Sequence, residues 1–143
     1  MKEENQVVQK SKSFAIRIIR LYKYMTEEKK EFILSKQVLR SGTSIGANVK
    51  ESIRAQSTAD FLSKMQVSLK EASETEYWLE LLAESGYIED KAADNILMEC
   101  RELIRLITAI VRSTKENNNL PLYEKEDGSM TGYNSPTLYN CEL

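Results

Sequence analysis

The chain contains no histidine, and only two cysteines, two prolines and five glycines among its 143 residues. Without histidine there can be no Ser-His or Cys-His nucleophile pair, no Glu-x-x-His metal site of the helix-bundle kind, and few ways to build a zinc site. An enzyme is therefore not expected, and neither is a cofactor. Cys100 and Cys141 form no Cys-x-x-Cys pair. Two unpaired thiols fit a reducing compartment better than a bridge does. So few helix breakers favour long helices over a turn-rich sheet. No apolar run approaches the ~20 residues that span a bilayer, and "MKEENQVVQK" lacks the apolar centre of a secretory signal. A cytoplasmic chain with no membrane partner is expected.

Apolar residues make up 41% and charged residues 29% of the chain, enough for one core. The net charge of −2 conceals an asymmetry. Residues 1–54 hold 12 Lys/Arg against 6 Asp/Glu, whereas residues 55–143 hold 8 against 16. The simpler reading is compensation across a bundle or between subunits; the sharper one is an acidic partner for the basic half.

The apolar pattern repeats in fours and threes. Val7, Ser11, Phe14, Ile18, Leu21 and Met25 make a seam on a first helix over roughly residues 5–26, with Val8, Ala15, Ile19 and Tyr22 as a second stripe and Ile16 off both. Thr26, followed by Glu27 and Glu28, predicts the N-cap of a second helix over roughly residues 27–53, whose face carries Leu34, Val38, Ser41, Ile45 and Asn48. Ser57 with Asp60 predicts a capping box opening the third helix, seamed by Phe61, Met65, Ser68, Ala72, Thr75, Leu79 and Leu82 and stopped by Gly86. Ile96, Cys100, Leu103, Ile107, Ile110 and Thr114 seam a fourth, which ends near "ENNN". Short connections between long helices predict an all-α, up-down-up-down antiparallel four-helix bundle over residues 1–117. An irregular, extended C-terminal tail over 118–143 follows, where Leu120, Leu122, Tyr123, Tyr133, Leu138 and Tyr139 could pin it to the bundle or to a neighbouring subunit.

The stretch "SGTSIGAN", Ser41 to Asn48, invites a phosphate-loop reading and fails it. Gly42 and Gly46 are four apart, no lysine follows Gly46 and no strand precedes. Gly-x-x-x-Gly at helical spacing instead clears one face for close approach by another backbone. Gly42, Gly46, Ala47 and Ser41 are expected to form that smooth patch, with Asn48 at a seam position where a buried polar group fixes register.

"RSGTSIGANVKES", the Asp60-Phe61 start of the third helix, "VSLKEA" at 67–72 and "ELLAESGYI" at 80–88 resemble the four-helix-bundle family encoded in intervening sequences of bacterial large-subunit ribosomal RNA genes, often labelled ribosomal-protein-like. The likeness covers about residues 7–115 in order and spacing, including Ile45, Asn48 and Glu51, then Ser68, Leu69 and Glu71. It implies a homopentamer of bundles around a pore. A related branch, the accessory protein of diversity-generating retroelements, binds a reverse transcriptase and nucleic acid and is strongly basic, unlike this chain.

Four groups of residues are candidates for function. Asn48, Glu51, Ser68 and Glu71 are expected to form a polar layer that either caps the helix connection or holds a ligand. Glu71, Glu74, Glu76 and Glu80 could attract a hard cation, but solvated or salt-bridged surface is the default. Val8, Ile16, Ile19, Tyr22 and Trp78 are candidates for an oligomer interface. Arg17, Arg20, Lys36 and Arg40 are candidates for phosphate contacts, provided they gather on one face. The expectation is a non-catalytic oligomeric scaffold or adaptor of the rRNA intervening-sequence type; the alternative is an RNA-binding or reverse-transcriptase accessory protein.

Overall fold

The computed structural model describes residues 2–122. Four helices follow in order: α1 (Lys2–Glu27), α2 (Leu34–Ile53), α3 (Thr58–Glu84) and α4 (Asp90–Asn117). Each packs on its neighbours in sequence and α4 closes against α1, with no direct approach across either diagonal. This is the up-down-up-down bundle that the pattern predicts. The seam positions supply its interior: Phe14, Ile18, Met25, Ile45, Met65, Leu79, Cys100 and Ile107 are all fully buried. Burying each of the larger apolar side chains contributes roughly 1.5–3 kcal/mol. The tail candidates Tyr123, Tyr133, Leu138 and Tyr139, and Cys141, lie outside the described residues.

Local chemistry sets the ends of the helices. Ser57 Oγ accepts from the Asp60 N–H at 3.1 Å while Asp60 accepts from the Gln56 N–H at 3.2 Å, so the capping box at α3 forms one residue out of register on its return bond. Gly86, at φ +83°, ends α3: its N–H reaches the Ala83 carbonyl and that of Tyr87 reaches Leu82. Asn119, at φ 53°, does the same for α4, with the Leu120 N–H on the Lys115 carbonyl. Both are the left-handed reversal in which glycine or asparagine is favoured.

The start of α2 departs from expectation. Thr26 does not cap it; its hydroxyl donates back to the Tyr22 and Lys23 carbonyls inside α1. α2 begins at Leu34, after a reversal at Lys30 (φ 52°). The capping group is the buried carboxylate of Glu31, which accepts from the backbone N–H groups of Ile33, Leu34 and Ser35 at 2.7–2.9 Å. Three orphan donors at a positive helix end are a better match for one carboxylate than for one hydroxyl.

α1 and α2 meet through small residues. A Cβ placed on Gly42 would lie 2.8 Å from Ile18 Cγ1 and 2.9 Å from Cγ2; one on Gly46 would lie 3.3 Å from the Ser11 carbonyl oxygen and from its Oγ. Close approach is thus the geometry at Gly42 and Gly46, whereas buried Ser41 turns to Thr75 on α3 and Ala47 is exposed and takes no part in it. Asn48 is half-buried and donates to the Ser44 carbonyl of its own helix, while Val49 takes the seam position.

These contacts bear directly on stability. Gly42→Ala gains about 1 kcal/mol of helix propensity, yet the new methyl meets Ile18 atoms fixed close to the α1 backbone, an overpacking cost on the order of 1–3 kcal/mol. A net loss of stability in denaturant melts is expected, with Gly46→Ala nearer neutral; a raised midpoint for Gly42→Ala would refute the contact. At Glu31, burial pushes the carboxyl pKa up, but the backbone donors of Leu34, Ser35 and Ile33 outweigh it and hold the group below its ordinary value. The unfolded chain therefore takes up this proton first as pH falls. The stabilisation is complete above about pH 4.3, the ordinary glutamate value, and is lost as pH drops through the folded value. Glu31→Gln should cost about 1 kcal/mol near neutral pH, and its melting curve should converge on that of the wild type in acid.

Candidate functional site

The four polar-layer candidates are not brought together. Ser68 is buried and donates to the Ile45 carbonyl at 2.8 Å, pinning α3 to α2. Glu51 pairs with Lys64 at 3.0 Å, Glu71 with Arg40 at 3.1 Å, and Asn48 turns back on its own helix. A buried contact between two side chains forms elsewhere: Thr75 Oγ1 is 2.8 Å from Ser41 Oγ and 2.7 Å from the Glu71 carbonyl. Among the described residues no buried side-chain nitrogen or oxygen lacks a partner.

The acidic residues of α3 are engaged by arginines. Arg40 reaches Glu71 and Glu74, and the Glu74 carboxylate also accepts from Trp78 Nε1 at 3.2 Å. The Arg40 hydrogen bond holds the Glu74 carboxyl below its usual range. Arg101 forks between Glu76 at 3.0 Å and Glu80 at 3.1 Å. No three His, Cys, Asp or Glu side chains gather as a metal site among the described residues.

The basic candidates are dispersed. Arg17 sits on the α4 side of α1, 2.7 Å from Glu99 and 2.9 Å from Asn95, and Lys10 pairs with Glu102 on the same side. Arg40 faces α3 on the far side of the bundle, and Lys36 is exposed near the start of α2. The charge asymmetry acquires a structural meaning here: the basic pair α1–α2 is tied to the acidic pair α3–α4 along both seams, α1 to α4 and α2 to α3.

The interface candidates present a patterned outer face. Ile16 and Ile19 are 43% and 41% exposed, large values for isoleucine on a helix whose other flanks are occupied. Val8, Ala15 and Tyr22 are half-buried beside them. The spacing of Val8, Ala15, Ile19 and Tyr22 places them on the flank towards α2, since Lys10, Arg17 and Tyr24 turn the other way, to α4. Trp78 packs against the core, its ring 5.3 Å from that of Tyr77, which is exposed.

Two further features are not among the groupings that the sequence suggests. Between α1 and α4 lies a cleft of about 400 Å³ lined by Arg17, Arg20, Leu21, Tyr24, Ile88, Glu89, Ala92 and Ile96. Leu21 of the α1 seam and Ile96 of the α4 seam form part of its floor, and neither position signals a cleft in the sequence. The other is the Glu31 loop, which holds Phe32 and Ile33 58% and 76% exposed. Cys100 is buried against the Ala72 carbonyl, and burial pushes its thiol up to about 12, so it is protonated and unreactive at neutral pH.

The model of a family described as 23S rRNA-intervening sequence protein matches residues 3–109. No curated protein matches the chain. Among solved structures, the crystal structure of a protein with unknown function from the S23 ribosomal protein family of Bacteroides thetaiotaomicron is similar, with a TM-score of 0.75 and 50% identity over 76% of this chain and 97% of that one.

Proposed function

This chain belongs to the 23S rRNA-intervening sequence protein family, and on that premise we propose that it is a non-catalytic, oligomeric scaffold or adaptor of the cytoplasm, assembled as a homopentamer. The observation that carries this reading is the outer stripe of α1. Seam residues complete the interior of the bundle, yet Ile16 and Ile19 stay exposed beside Val8 and Tyr22. Contiguous apolar surface of this kind marks a contact between proteins. Small residues on the outer side of α2, half-buried Thr43 and exposed Ala47, would let a neighbouring helix approach beside it. A charge placed there by Ile19→Glu should dissociate the oligomer while circular dichroism keeps its helical signal. Light scattering on the wild type comes first: a monomer at concentrations of about tens of micromolar would sink the assembly.

The same reading makes nucleic acid a poor partner. Arg17 and Arg40 are spent on carboxylates on different sides of the bundle, so their charge is neither free nor pooled. Binding to single-stranded or duplex RNA is expected to be weak and sequence-independent, and to vanish between about 50 and 200 mM salt. Tight binding that survives the higher salt and disappears in an Arg17→Ala, Arg20→Ala, Arg40→Ala variant would instead favour an RNA-binding or reverse-transcriptase accessory role.

A further inference from the structure

The outward face shared by α1 and α2 is built as two ridges. On α1, Lys12, Ile16, Ile19 and Lys23 follow at spacings of four, three and four; on α2, Lys36, Thr43, Ala47 and Lys50 form the matching ridge. The helices run antiparallel, with Ile18 against Gly42 and Ser11 against Gly46. Counting from those contacts puts Lys23 and Lys36 at one end of the face and Lys12 and Lys50 at the other. Isoleucine, threonine and alanine lie between. No Asp or Glu occurs in residues 5–26 or 32–50. Lys10, Arg17 and Arg40, which face a neighbouring helix, are all in ion pairs. The four exposed lysines have none among the described residues.

Such a face cannot pack on itself. A two-fold contact centred on the isoleucines would set lysines against lysines at both ends, whichever way the helices run, and juxtaposed like charges oppose association. The complementary surface needs carboxylates at both ends and an apolar centre. The flank of α4 towards α1 has that order: Glu89, then the cleft with Leu21, Ile88 and Ile96, then Glu99 and Glu102. Glu89 has no ion-pair partner among the described residues. Glu99 and Glu102 are held by Arg17 and Lys10 yet stay 39% and 47% exposed, with lone pairs open to a further donor. The spans agree: Lys12 to Lys23 covers roughly 17 Å and Glu89 to Glu99 roughly 15 Å, at 1.5 Å per residue. The levels agree as well. Arg17 lies beside Asn95, so six residues further along each helix Lys23 stands level with Glu89. Lys12 stands near the level of Glu99 and Glu102, since Lys10 pairs with Glu102.

We propose that the α1–α2 face of one copy seats on the α1–α4 side of the next, with Ile16 and Ile19 over the cleft and Lys23 and Lys12 beside Glu89 and Glu99. This rests on the oligomeric reading above and adds which surfaces meet. Rotation about a ring axis parallel to the bundles leaves every residue at its own level, so only surfaces at equal level can join. These two are at equal level. They are also neighbouring sides of a square bundle, roughly at right angles, which suits closure into a small ring rather than a dimer or a fibre. The charged groups stay in water at the rim, and the part of the contact that is buried is apolar.

Cross-linking between copies tests the pairing. Ile19 is exposed on the face and Ala92 is exposed at the cleft. In a Cys141→Ser background, Ile19→Cys and Ala92→Cys chains are co-expressed, one carrying a mass tag, and treated with a short bis-maleimide. Buried Cys100 is protonated and does not react. Lys23→Cys with Glu89→Cys repeats the test at the rim, where substitution leaves the apolar contact intact. Each mixture should give the tagged–untagged dimer at least about tenfold over either self-linked dimer, the mark of two different positions held together. Ile19→Cys linked mainly to itself would show a self-complementary contact and overturn the proposal while the oligomer stands. An oligomer in light scattering that yields no mixed dimer from either pair would overturn it too. A wild-type monomer would sink the oligomeric reading and this pairing together.

Discussion

The contact on which the rest of the bundle depends is the one between α1 and α2, where Gly42 and Gly46 lie against Ile18 and Ser11. Both helices are basic, and no ion pair joins them among the described residues. Their attraction is therefore dispersion and apolar burial at short range, which needs backbones brought close. Each glycine weakens its helix by roughly 1 kcal/mol relative to alanine. That cost is offset by packing: Ile18 is fully buried in the space that Gly42 leaves, and Ser11 lies against Gly46. A sequence built for helix propensity alone would have alanine at both positions and a wider gap between these two helices.

With α1 and α2 joined in this way, charge determines how the second pair closes on the first. Lys10 and Arg17 on α1 meet Glu102 and Glu99 on α4; Arg40 on α2 meets Glu71 and Glu74 on α3. These pairs are half-exposed, so each contributes at most about 1 kcal/mol. Their value lies more in selection than in strength. A bundle of the opposite hand would also place α1 beside α2 and α4, but with the seam positions on the wrong flanks for these partners. Buried hydroxyls add a second selector at the α2–α3 seam, where Ser68 meets the Ile45 carbonyl and Thr75 meets Ser41. A shift of one turn would part Ser68 from the Ile45 carbonyl and leave its hydroxyl unpaired in the interior, at a cost of about 1–3 kcal/mol.

Much of this architecture is legible in the amino-acid order. The four seams can be read because fours and threes alternate without a break, and the Ser57–Asp60 cap and the Gly86 stop are short-range signals in which the residue type is itself the mechanism. The α2 start is not legible in the same way. Thr26 satisfies the local rule for a cap, yet it sits where α1 still has carbonyls to accept from its hydroxyl. Glu31 gives no local signal, because a glutamate reaches these donors only when the chain reverses at Lys30, a non-glycine residue at positive φ. Ala47 and Asn48 fall one step too far round the helix, since a run of small residues has no bulky side chain to mark its inner edge. The expected polar layer fails for a related reason: i, i+3 spacing puts two residues on one face of their own helix but does not say which neighbour that face meets. The positions of Arg40 and Lys64, not the spacing, determine where Glu71 and Glu51 turn.

The interior leaves little for function to use. Its polar atoms are satisfied among the described residues, its cysteine is protonated by burial, and its seams are filled. What distinguishes this bundle from any other well-packed one must lie on its outer faces, and those faces are unequal. The α2–α3 and α3–α4 surfaces are laced with arginine–carboxylate forks, a solvated chemistry that resists burial against a partner because each fork would have to give up water. The α1–α2 flank carries isoleucine and small residues with no such forks. The α1–α4 groove carries an apolar floor with charges at its rim. The α1–α4 seam carries ion pairs of its own, Lys10–Glu102 and Arg17–Glu99. Desolvation therefore favours contact on the α1–α2 flank, where α1 both closes the fold internally and presents it to other molecules.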